Sequence, residues 1–330
     1  MHRLLIALPL AGSLAFGFIP AVSAQSGAAQ HLAAAKVAAG KDHPGLFDRI
    51  CAPGAVTGGA PAAARAGGAP PPPQAPPPVS EWHAEPAKVF DNLYFVGMTE
   101  YSAWAITTSQ GIILADAVFD YSVEDAVVNG LKKLGLDPAQ IKYVLISHAH
   151  TDHAGGAKLL QQRYGSRVIL SAADWDLLDR QNPSWKPKRD MVATDGMKLT
   201  VGDASIQVVT MPGHTAGTLS YLFEVKDNGK PMRIAYVGGT AIPYDGDAAY
   251  YDLYLASSRK VAKAAADYGA TVMLSNHTEF DNGYYKAHTA AMRKPGEANP
   301  FDVGKAGVAG YFSVVDYCVS AAKLRATGKL

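Results

Sequence analysis

The sequence predicts one α/β domain that follows an N-terminal extension, and three observations support this. From about residue 81 to the C-terminus, short apolar runs alternate with amphipathic runs. This part holds roughly 250 residues, an ordinary size for a single α/β unit. A segment made almost entirely of Ala, Gly and Pro, residues 54–78, separates it from the preceding chain.

The elements of this domain can be read from short patterns in order. Residues 103–108 and 112–116 predict a hairpin around Gln110 and Gly111, and residues 123–134 predict a helix between Ser122 and Gly135. A buried strand over 143–147 and a helix over 156–164 follow. The remaining predicted elements are strands over 168–171, 205–210, 218–224, 233–237 and 271–275, and a C-terminal helix over 308–326.

Composition excludes several classes of protein. The 330 residues contain 30 Lys and Arg against 29 Asp and Glu, a net charge of +1, which excludes the broad basic surface that nucleic-acid binding normally needs. Only two cysteines, Cys51 and Cys318, are present, so the chain is not a disulfide-dense miniprotein. The partner expected is a small molecule.

The first residues predict a signal peptide over 1–24. A short basic start precedes an apolar run, and Val22, Ser23 and Ala24 supply the small residues that a signal peptidase reads. A membrane anchor is the alternative, but the run contains Pro9 and two glycines and is short for a span. We therefore expect cleavage after Ala24 and a mature protein that is exported, periplasmic or secreted, with no membrane association.

Between the signal peptide and the α/β domain, the sequence predicts an N-terminal helical segment over 25–53 and a linker over 54–80. Residues 28–39 favour a helix, and Gly40 is a plausible end. The linker composition favours extended polyproline structure. After export, Cys51 and Cys318 could pair and join this segment to the C-terminal helix; two separate buried thiols are the alternative.

Candidate metal ligands follow a predicted strand. His148, His150, Asp152 and His153 lie in one run directly after the apolar residues 143–147. Alternating positions of an extended segment face the same side, so His148 and His150 can face one ion. Asp152 and His153 are adjacent and can face a second point nearby.

Two further histidines also follow apolar stretches. His214 lies in a Gly-His-Thr sequence, and His277 in a Ser-Asn-His sequence. Imidazole nitrogens and carboxylate oxygens are the ligands that zinc takes when thiolate is absent. Ordinary polar loop residues are the alternative, but five of the ten histidines fall at these three strand ends, which favours a metal site.

These motifs together resemble the metallo-β-lactamase superfamily over residues 81–330. The resemblance implies a four-layer αββα sandwich with two Zn²⁺ ions at one edge. It implies that His148, His150 and His214 bind the first zinc, and that Asp152, His153 and His277 bind the second. It also implies that Asp116 holds a ligand imidazole from outside the ligand set; a strand-end carboxylate that caps a turn is the alternative for Asp116.

Within the superfamily, the pattern is similar to subclass B3 β-lactamases. No cysteine lies between His214 and His277, and Gly238, Gly239 and Thr240 stand where some relatives place a bridging Asp. B3 enzymes often carry serine where Gly239 and Ala241 stand here, and Thr240 is the residue that could replace those hydroxyls.

The loop over 181–188 lies in a region that flanks the site in relatives. Its Trp185 is a candidate to cover a substrate ring, although a solvated loop with one packed tryptophan is the better interpretation.

The resemblance implies a zinc-dependent hydrolase that opens β-lactam rings by attack of a metal-bound hydroxide, which Asp152 orients. An alternative is a dizinc hydrolase of the same fold acting on a lactone, ester or thioester, which Gly239 and Ala241 favour. A non-enzymatic metal-binding protein is the weakest of the three hypotheses, because all six ligands are present.

Overall fold

The computed structural model describes residues 27–51, 75–242 and 246–328. The predicted signal peptide and most of the predicted linker lie outside the described residues, so the division of the chain into segments stays a prediction. In the described ranges, no helix combines the length and apolar character that crossing a bilayer requires.

The N-terminal segment forms two helices that pack on the rest of the protein. Helix α1 spans Gly27–Ala39 and α2 spans Pro44–Ile50, which confirms the helix predicted over 28–39. Gly40 follows with φ of 51°, a left-handed conformation that glycine adopts without strain and that ends the helix. Cys51 is joined to Cys318 by a disulfide, so this segment is fastened to the C-terminal helix.

The first sheet has seven strands in the order β1 to β7. Strands β1 to β4 pair antiparallel and β4 to β7 pair parallel. Their bounds are β1 Ala87–Phe90, β2 Leu93–Phe95, β3 Trp104–Thr108, β4 Gly111–Ala115, β5 Ile141–Leu145, β6 Arg167–Ser171 and β7 Met191–Ala193.

The second sheet has five strands in the order β12-β11-β10-β9-β8. Strands β8 to β11 pair antiparallel, and β11 pairs parallel with β12. Their bounds are β8 Lys198–Val201, β9 Ala204–Thr210, β10 Leu219–Asp227, β11 Lys230–Val237 and β12 Val272–Ser275.

Helices cover the outer faces of both sheets. A π-helical turn over Glu124–Asn129 runs directly into helix α4, which spans Gly130–Lys133. The remaining bounds are α3 Val79–Trp82, α4 Gly130–Lys133, α5 Thr151–Ala154, α6 Ala157–Tyr164, α7 Ala172–Gln181, α8 Ala248–Tyr268, α9 Thr278–Asp281, α10 Gly283–Ala291 and α11 Gly304–Ala326, with a 3₁₀ turn over Pro138–Gln140.

The side chains of alternate strand positions define the layers. In β4, Ile113 packs between the two sheets, whereas Leu114 packs under the helices of the first sheet. In β10, Tyr221 and Phe223 face the inter-sheet core and Leu222 faces the helices of the second sheet. This period of two is what a strand buried on both faces produces. The four-layer αββα sandwich is therefore confirmed.

The largest missed element is α8, a 21-residue helix. Its ends carry ordinary signals: the side chain of Asp247 accepts a hydrogen bond from the N–H of Tyr250, and Gly269 follows with φ of 76°. Its buried face mixes Tyr, Ser and Ala with only a few aliphatic side chains. The apolar stripe is therefore weak in sequence, which is why the prediction omitted this helix. The prediction also omitted other elements, including β1, β2, β7, β8 and α7.

The fold brings the ends of several strands to one edge. The N–H of Asp116, after β4, donates to the carbonyl of Leu145 at the end of β5. The N–H of Leu219 donates to Ser147, and the N–H of Asn276 donates to Val237. The bond between Leu219 and Ser147 joins the two sheets at the edge where β4, β5, β11 and β12 all end, and this edge holds the predicted ligands.

Candidate metal centre

The residues after β5 build the first part of the site. His150 stands at the start of α5, and Asp152 and His153 lie within this one-turn helix. His148 and His153 are fully buried, and Asp152 is 6% exposed. The tight turn from strand into helix thus turns four neighbouring polar side chains toward one place.

His148, His150 and His214 form what we call the first triad. The Nδ1 atom of His150 lies 3.1 Å from Nε2 of His148 and 3.0 Å from Nε2 of His214. The three imidazole nitrogens therefore converge on one point, as the sequence predicts.

Backbone carbonyls set the orientation of two of these rings. Nδ1 of His148 lies 2.8 Å from the carbonyl oxygen of Gly238, and Nδ1 of His214 lies 2.8 Å from that of Ala241. A carbonyl can only accept, so each Nδ1 carries the proton and donates it. Each Nε2 is left with a lone pair that faces the centre of the triad.

Asp152, His153 and His277 form the second triad. Oδ2 of Asp152 lies 3.0 Å from Nε2 of His153 and 3.4 Å from Nε2 of His277. The two Nε2 atoms are 3.2 Å apart. The second predicted ligand set also converges, and the ring centroids of His148 and His153, 4.3 Å apart, place the two triads side by side.

Asp116 holds the second triad from behind. Its Oδ2 lies 3.1 Å from Nδ1 of His153, as the resemblance implies, and it also accepts from the hydroxyls of Ser147 at 2.8 Å and Tyr236 at 2.6 Å. Its Oδ1 accepts from the N–H of Ser147 at 2.6 Å. Asp116 is fully buried with φ of 60°, a conformation rare for residues other than glycine and maintained here by four hydrogen bonds.

The two triads differ in charge. Burial, together with the neighbouring histidines, lowers the pKa of His148 and His214 well below the ordinary value. Burial opposes the charged form of His153 as well, but the carboxylates of Asp152 and Asp116 outweigh it and raise the pKa of His153 to about 10. Against its own burial, the adjacent His153 holds the pKa of Asp152 well below its usual range.

The donor sets fit a metal such as zinc. Two ligands about 2.1 Å from a tetrahedral zinc ion lie about 3.4 Å from each other. The ligand atoms measured above are 3.0 to 3.4 Å apart within each triad. The inward Nε2 atoms of His148 and His214 both carry lone pairs, which cannot hydrogen-bond to each other, so a cation is a natural partner for the first triad.

Asp174 is a supporting residue that the sequence analysis missed. It accepts hydrogen bonds from the N–H of Ala149, the hydroxyl of Thr215 and the N–H of Gly217, all at 2.8 to 2.9 Å. This fully buried carboxylate therefore joins the loop of His148 and His150 to that of His214. No motif marks it, because it lies inside the missed helix α7.

Asn276 is the second residue that was missed. Its side chain is buried between both triads, with Nδ2 2.9 Å from the carbonyl of Gly238 and 3.2 Å from Nε2 of His153. Its position directly before His277 was the available signal.

The two predicted substrate contacts do not join the triads. Thr240 is 1% exposed and its hydroxyl bonds the hydroxyl of Tyr311 at 2.7 Å, so it is directed into the protein and does not replace a substrate-facing hydroxyl. Trp185 lines a surface cavity of about 480 Å³ with Lys158 and Leu159, and no triad residue lines that cavity. Its loop is held to α6, where Lys158 donates to the carbonyl of Ser184.

Comparison with known proteins agrees with this geometry. The family described as "Metallo-beta-lactamase superfamily" matches residues 96–229. A metallo-beta-lactamase mutant from Cronobacter sakazakii is 28% identical with a TM-score of 0.60, over 71% of this chain and 94% of that one. In both sequence and fold, the chain is therefore similar to the metallo-beta-lactamase superfamily.

A second solved structure from this superfamily is also similar. BJP-1, a subclass B3 metallo-beta-lactamase of Bradyrhizobium japonicum, is 27% identical with a TM-score of 0.62, and the match covers 76% of this chain and 96% of that one.

Curated relatives carry other names. A hydroxyacylglutathione hydrolase of Acidiphilium cryptum is 30% identical over 33% of this chain and 40% of its own length. An N-acyl homoserine lactonase of a Bacillus species is 31% identical over 32% of this chain and 42% of its own length. The chain thus spans about two fifths of these relatives. The family model and these relatives together indicate a hydrolase that acts on small molecules.

Proposed function

We propose that this metallo-beta-lactamase superfamily hydrolase binds two zinc ions and opens β-lactam rings in the manner of subclass B3 enzymes. The observation that carries the proposal is the pair of adjacent triads, three histidines in one and Asp152, His153 and His277 in the other. The similarity to β-lactamase structures, over 71% and 76% of this chain, supports the same assignment.

The chain's own residues define how such a site would work. Zinc, when bound, supplies a Lewis acid that polarises a carbonyl group and lowers the pKa of water. The carboxylate of Asp152 is ionised and 6% exposed, so it can accept a hydrogen bond from an attacking water. Because its pKa is so low, Asp152 orients that water and is a poor permanent acceptor of its proton.

A second candidate function is hydrolysis of a lactone or thioester. A Cβ atom at Gly239 would lie 2.6 Å from Cγ2 of Thr218 and 2.9 Å from Cβ of His214, so a serine cannot occupy this position without displacement. Ala241 likewise offers no hydroxyl. A site without these hydroxyls has fewer contacts for a substrate carboxylate, and the names of the curated relatives favour this candidate.

The deciding experiment compares substrates on one purified protein. A chromogenic cephalosporin, a penicillin and a carbapenem are assayed beside an acyl homoserine lactone and a glutathione thioester, with and without a chelator. Chelator-sensitive β-lactam hydrolysis supports the proposal, and turnover of only the lactone or thioester selects the second candidate. No turnover of any of them leaves the non-enzymatic hypothesis.

Matched variants locate the activity. His214→Ala removes one ligand of the first triad and is expected to lower turnover at least about a hundredfold. His83→Ala is the control, because His83 is a half-exposed histidine that contacts Glu85 at 3.1 Å and no triad residue. Equal loss in both variants would contradict the assignment of the site.

We also propose that the protein is exported. The signal-like start of the sequence and the disulfide between Cys51 and Cys318 support this, since disulfides persist in oxidising compartments. Cell fractionation with N-terminal sequencing tests it: a mature chain that begins at Gln25 is expected, and an uncleaved chain in the cytoplasm would contradict it.

A further inference from the structure

Asn276 occupies an unusual place between the two triads. Its backbone is fixed on both sides, since its N–H donates to the carbonyl of Val237 and its carbonyl accepts from the N–H of Ser102. The residue is 1% exposed. The side-chain amide therefore has little freedom, and its contacts are determined by the fold.

One atom of this amide reaches partners of both triads. Nδ2 donates to the carbonyl of Gly238 at 2.9 Å, and the same carbonyl accepts from Nδ1 of His148 at 2.8 Å. Nδ2 also lies 3.2 Å from Nε2 of His153 in the second triad. Asn276 therefore precedes His277 in the sequence. Its contact with His148 is indirect, because both side chains donate to the carbonyl of Gly238.

The backbone of Gly238 links Asn276 to His148, and close packing holds it in place. A Cβ atom at this position would lie 2.0 Å from the carbonyl oxygen of Leu219 and 2.6 Å from Cβ of Ser147. The backbone is therefore packed closely between the residue before His148 and the start of β10. Besides this packing, the carbonyl that orients His148 has two donors, Nδ1 of His148 and Nδ2 of Asn276.

The oxygen atom of the side-chain amide, Oδ1, makes Asn276 unfavourable for the stability of the fold. Oδ1 is buried and has no hydrogen-bond partner among the described residues. An unsatisfied buried acceptor destabilises a fold, so an apolar side chain of similar size would serve the packing better. Its presence calls for a role other than stability.

We propose that Asn276 is a positioning residue that holds the Gly238 carbonyl against His148 and thereby couples the first triad to the second. This rests on the proposed metal site and concerns a residue outside the ligand set. Loss of such an outer partner typically weakens metal affinity about 10- to 100-fold. We expect substitution of Asn276 to weaken zinc binding at the first triad, although Asn276 is next in sequence to His277, a ligand of the second triad.

The test isolates the first triad. In a background that carries both Asp152→Ala and His277→Ala, the second triad retains only His153, so zinc affinity, measured by competition with a chelating indicator, reports His148, His150 and His214. Adding Asn276→Leu is expected to weaken this affinity about tenfold or more. A change of less than about threefold would overturn the proposal.

Two further measurements separate positioning from a structural role. The thermal midpoint of the metal-free Asn276→Leu protein is expected to equal or exceed that of the parent, because an unsatisfied acceptor is removed; a lower midpoint together with unchanged zinc affinity would show a structural role only. Asn299→Leu is the matched control, since Asn299 is also a buried asparagine, bonded to the carbonyl of Val89 and distant from both triads. It is expected to leave zinc affinity unchanged. If the parent protein binds no zinc, the proposed function itself fails, which is a distinguishable result.

Discussion

Two regions of this molecule bury charged side chains, and they differ in how many hydrogen bonds these side chains make. At the metal centre, Asp116 accepts four hydrogen bonds and Asp174 accepts three. Beneath the N-terminal helices, a second group is poorly paired: Oδ1 of Asp281, Nζ of Lys286 and Nδ1 of His43 have no hydrogen-bond partner among the described residues. We call these three residues the N-terminal polar cluster.

This difference in hydrogen bonding shows where the fold holds buried side chains in precise positions. A fully paired buried network gives each side chain one position, which a metal ligand requires. A partly paired cluster leaves the cost of burial uncompensated and makes no demand on geometry. Substitutions of Asp116 and Asp174 are therefore expected to be costly, whereas the second region is expected to tolerate or even benefit from apolar substitutions.

The largest effect is expected at Asp116. Asp116→Ala removes the partner of His153 and leaves the donors of Ser147 and Tyr236 unpaired in the interior. We expect zinc affinity to fall about 10- to 100-fold, with a matching loss of turnover at limiting zinc. Metal content by mass spectrometry after dialysis measures this. Asp195→Ala, at a surface carboxylate paired with Lys260, is the control and is expected to retain its zinc.

The next effect is expected at Asp174, and it is one of stability. Asp174→Ala leaves the N–H groups of Ala149 and Gly217 without an acceptor and removes one partner of the Thr215 hydroxyl, which we expect to lower the free energy of unfolding by about 3 kcal/mol. Chemical denaturation measures it. Asp176→Ala, two residues further along on the exposed side of α7, removes only a surface ion pair with Arg189 and is expected to change stability by less than about 1 kcal/mol. Equal effects would show that Asp174 is no special link between the two loops.

The ligands were predictable from the sequence and their supports were not, for a physical reason. Ligands must be His or Asp at fixed offsets after a strand, so His148, His150 and Asp152 stand out without any structure. A support needs only a donor or acceptor within reach, and the chain can supply it from anywhere. Asp174 and Asn276 come from elements whose positions depend on tertiary packing, and a hydrogen bond between distant loops leaves no local pattern.

The same reasoning explains the outcome for the fold. Strands buried on both faces give continuous apolar runs, such as 143–147, and were found. The helix α8 buries Tyr251, Tyr254 and Ser258 against the second sheet, a face whose polarity hides its period. Thr240 was misjudged because sequence position places it near the site, whereas the side-chain direction is set by its contact with Tyr311.

A smaller effect is expected in the N-terminal polar cluster, and it depends on pH. Burial raises the pKa of Asp281 to about 7, although Lys286 acts against this rise. The folded protein therefore keeps a proton that the unfolded chain releases, and this contribution to stability is lost as the pH rises from about 4 to about 7. The charged and titratable groups around it are Lys286, Asp42, His43 and Tyr311.

The double variant Asp281→Asn with Lys286→Met tests this. Removing both charges together leaves neither unpaired, so we expect stability at pH 7.5 to equal that of the parent or exceed it by up to about 2 kcal/mol. The difference in unfolding free energy between the two proteins should grow in favour of the variant from about pH 4 to about 7. Urea denaturation at several pH values measures it. A difference that is constant with pH would contradict the assignment to Asp281.

The smallest effect is expected at two stacked tyrosines whose hydroxyl groups differ in hydrogen bonding. Tyr236 and Tyr221 are fully buried with ring centroids 5.3 Å apart; the hydroxyl of Tyr236 donates to Asp116, whereas that of Tyr221 has no partner in the described part of the chain. Tyr236→Phe is expected to cost about 1 kcal/mol, because Asp116 keeps three other donors. Tyr221→Phe removes an unsatisfied group from the same environment and is expected to be neutral or stabilising. If denaturation gives equal losses for both, packing and not hydrogen bonding governs this part of the core, and the contrast between the two buried regions would lose its physical basis.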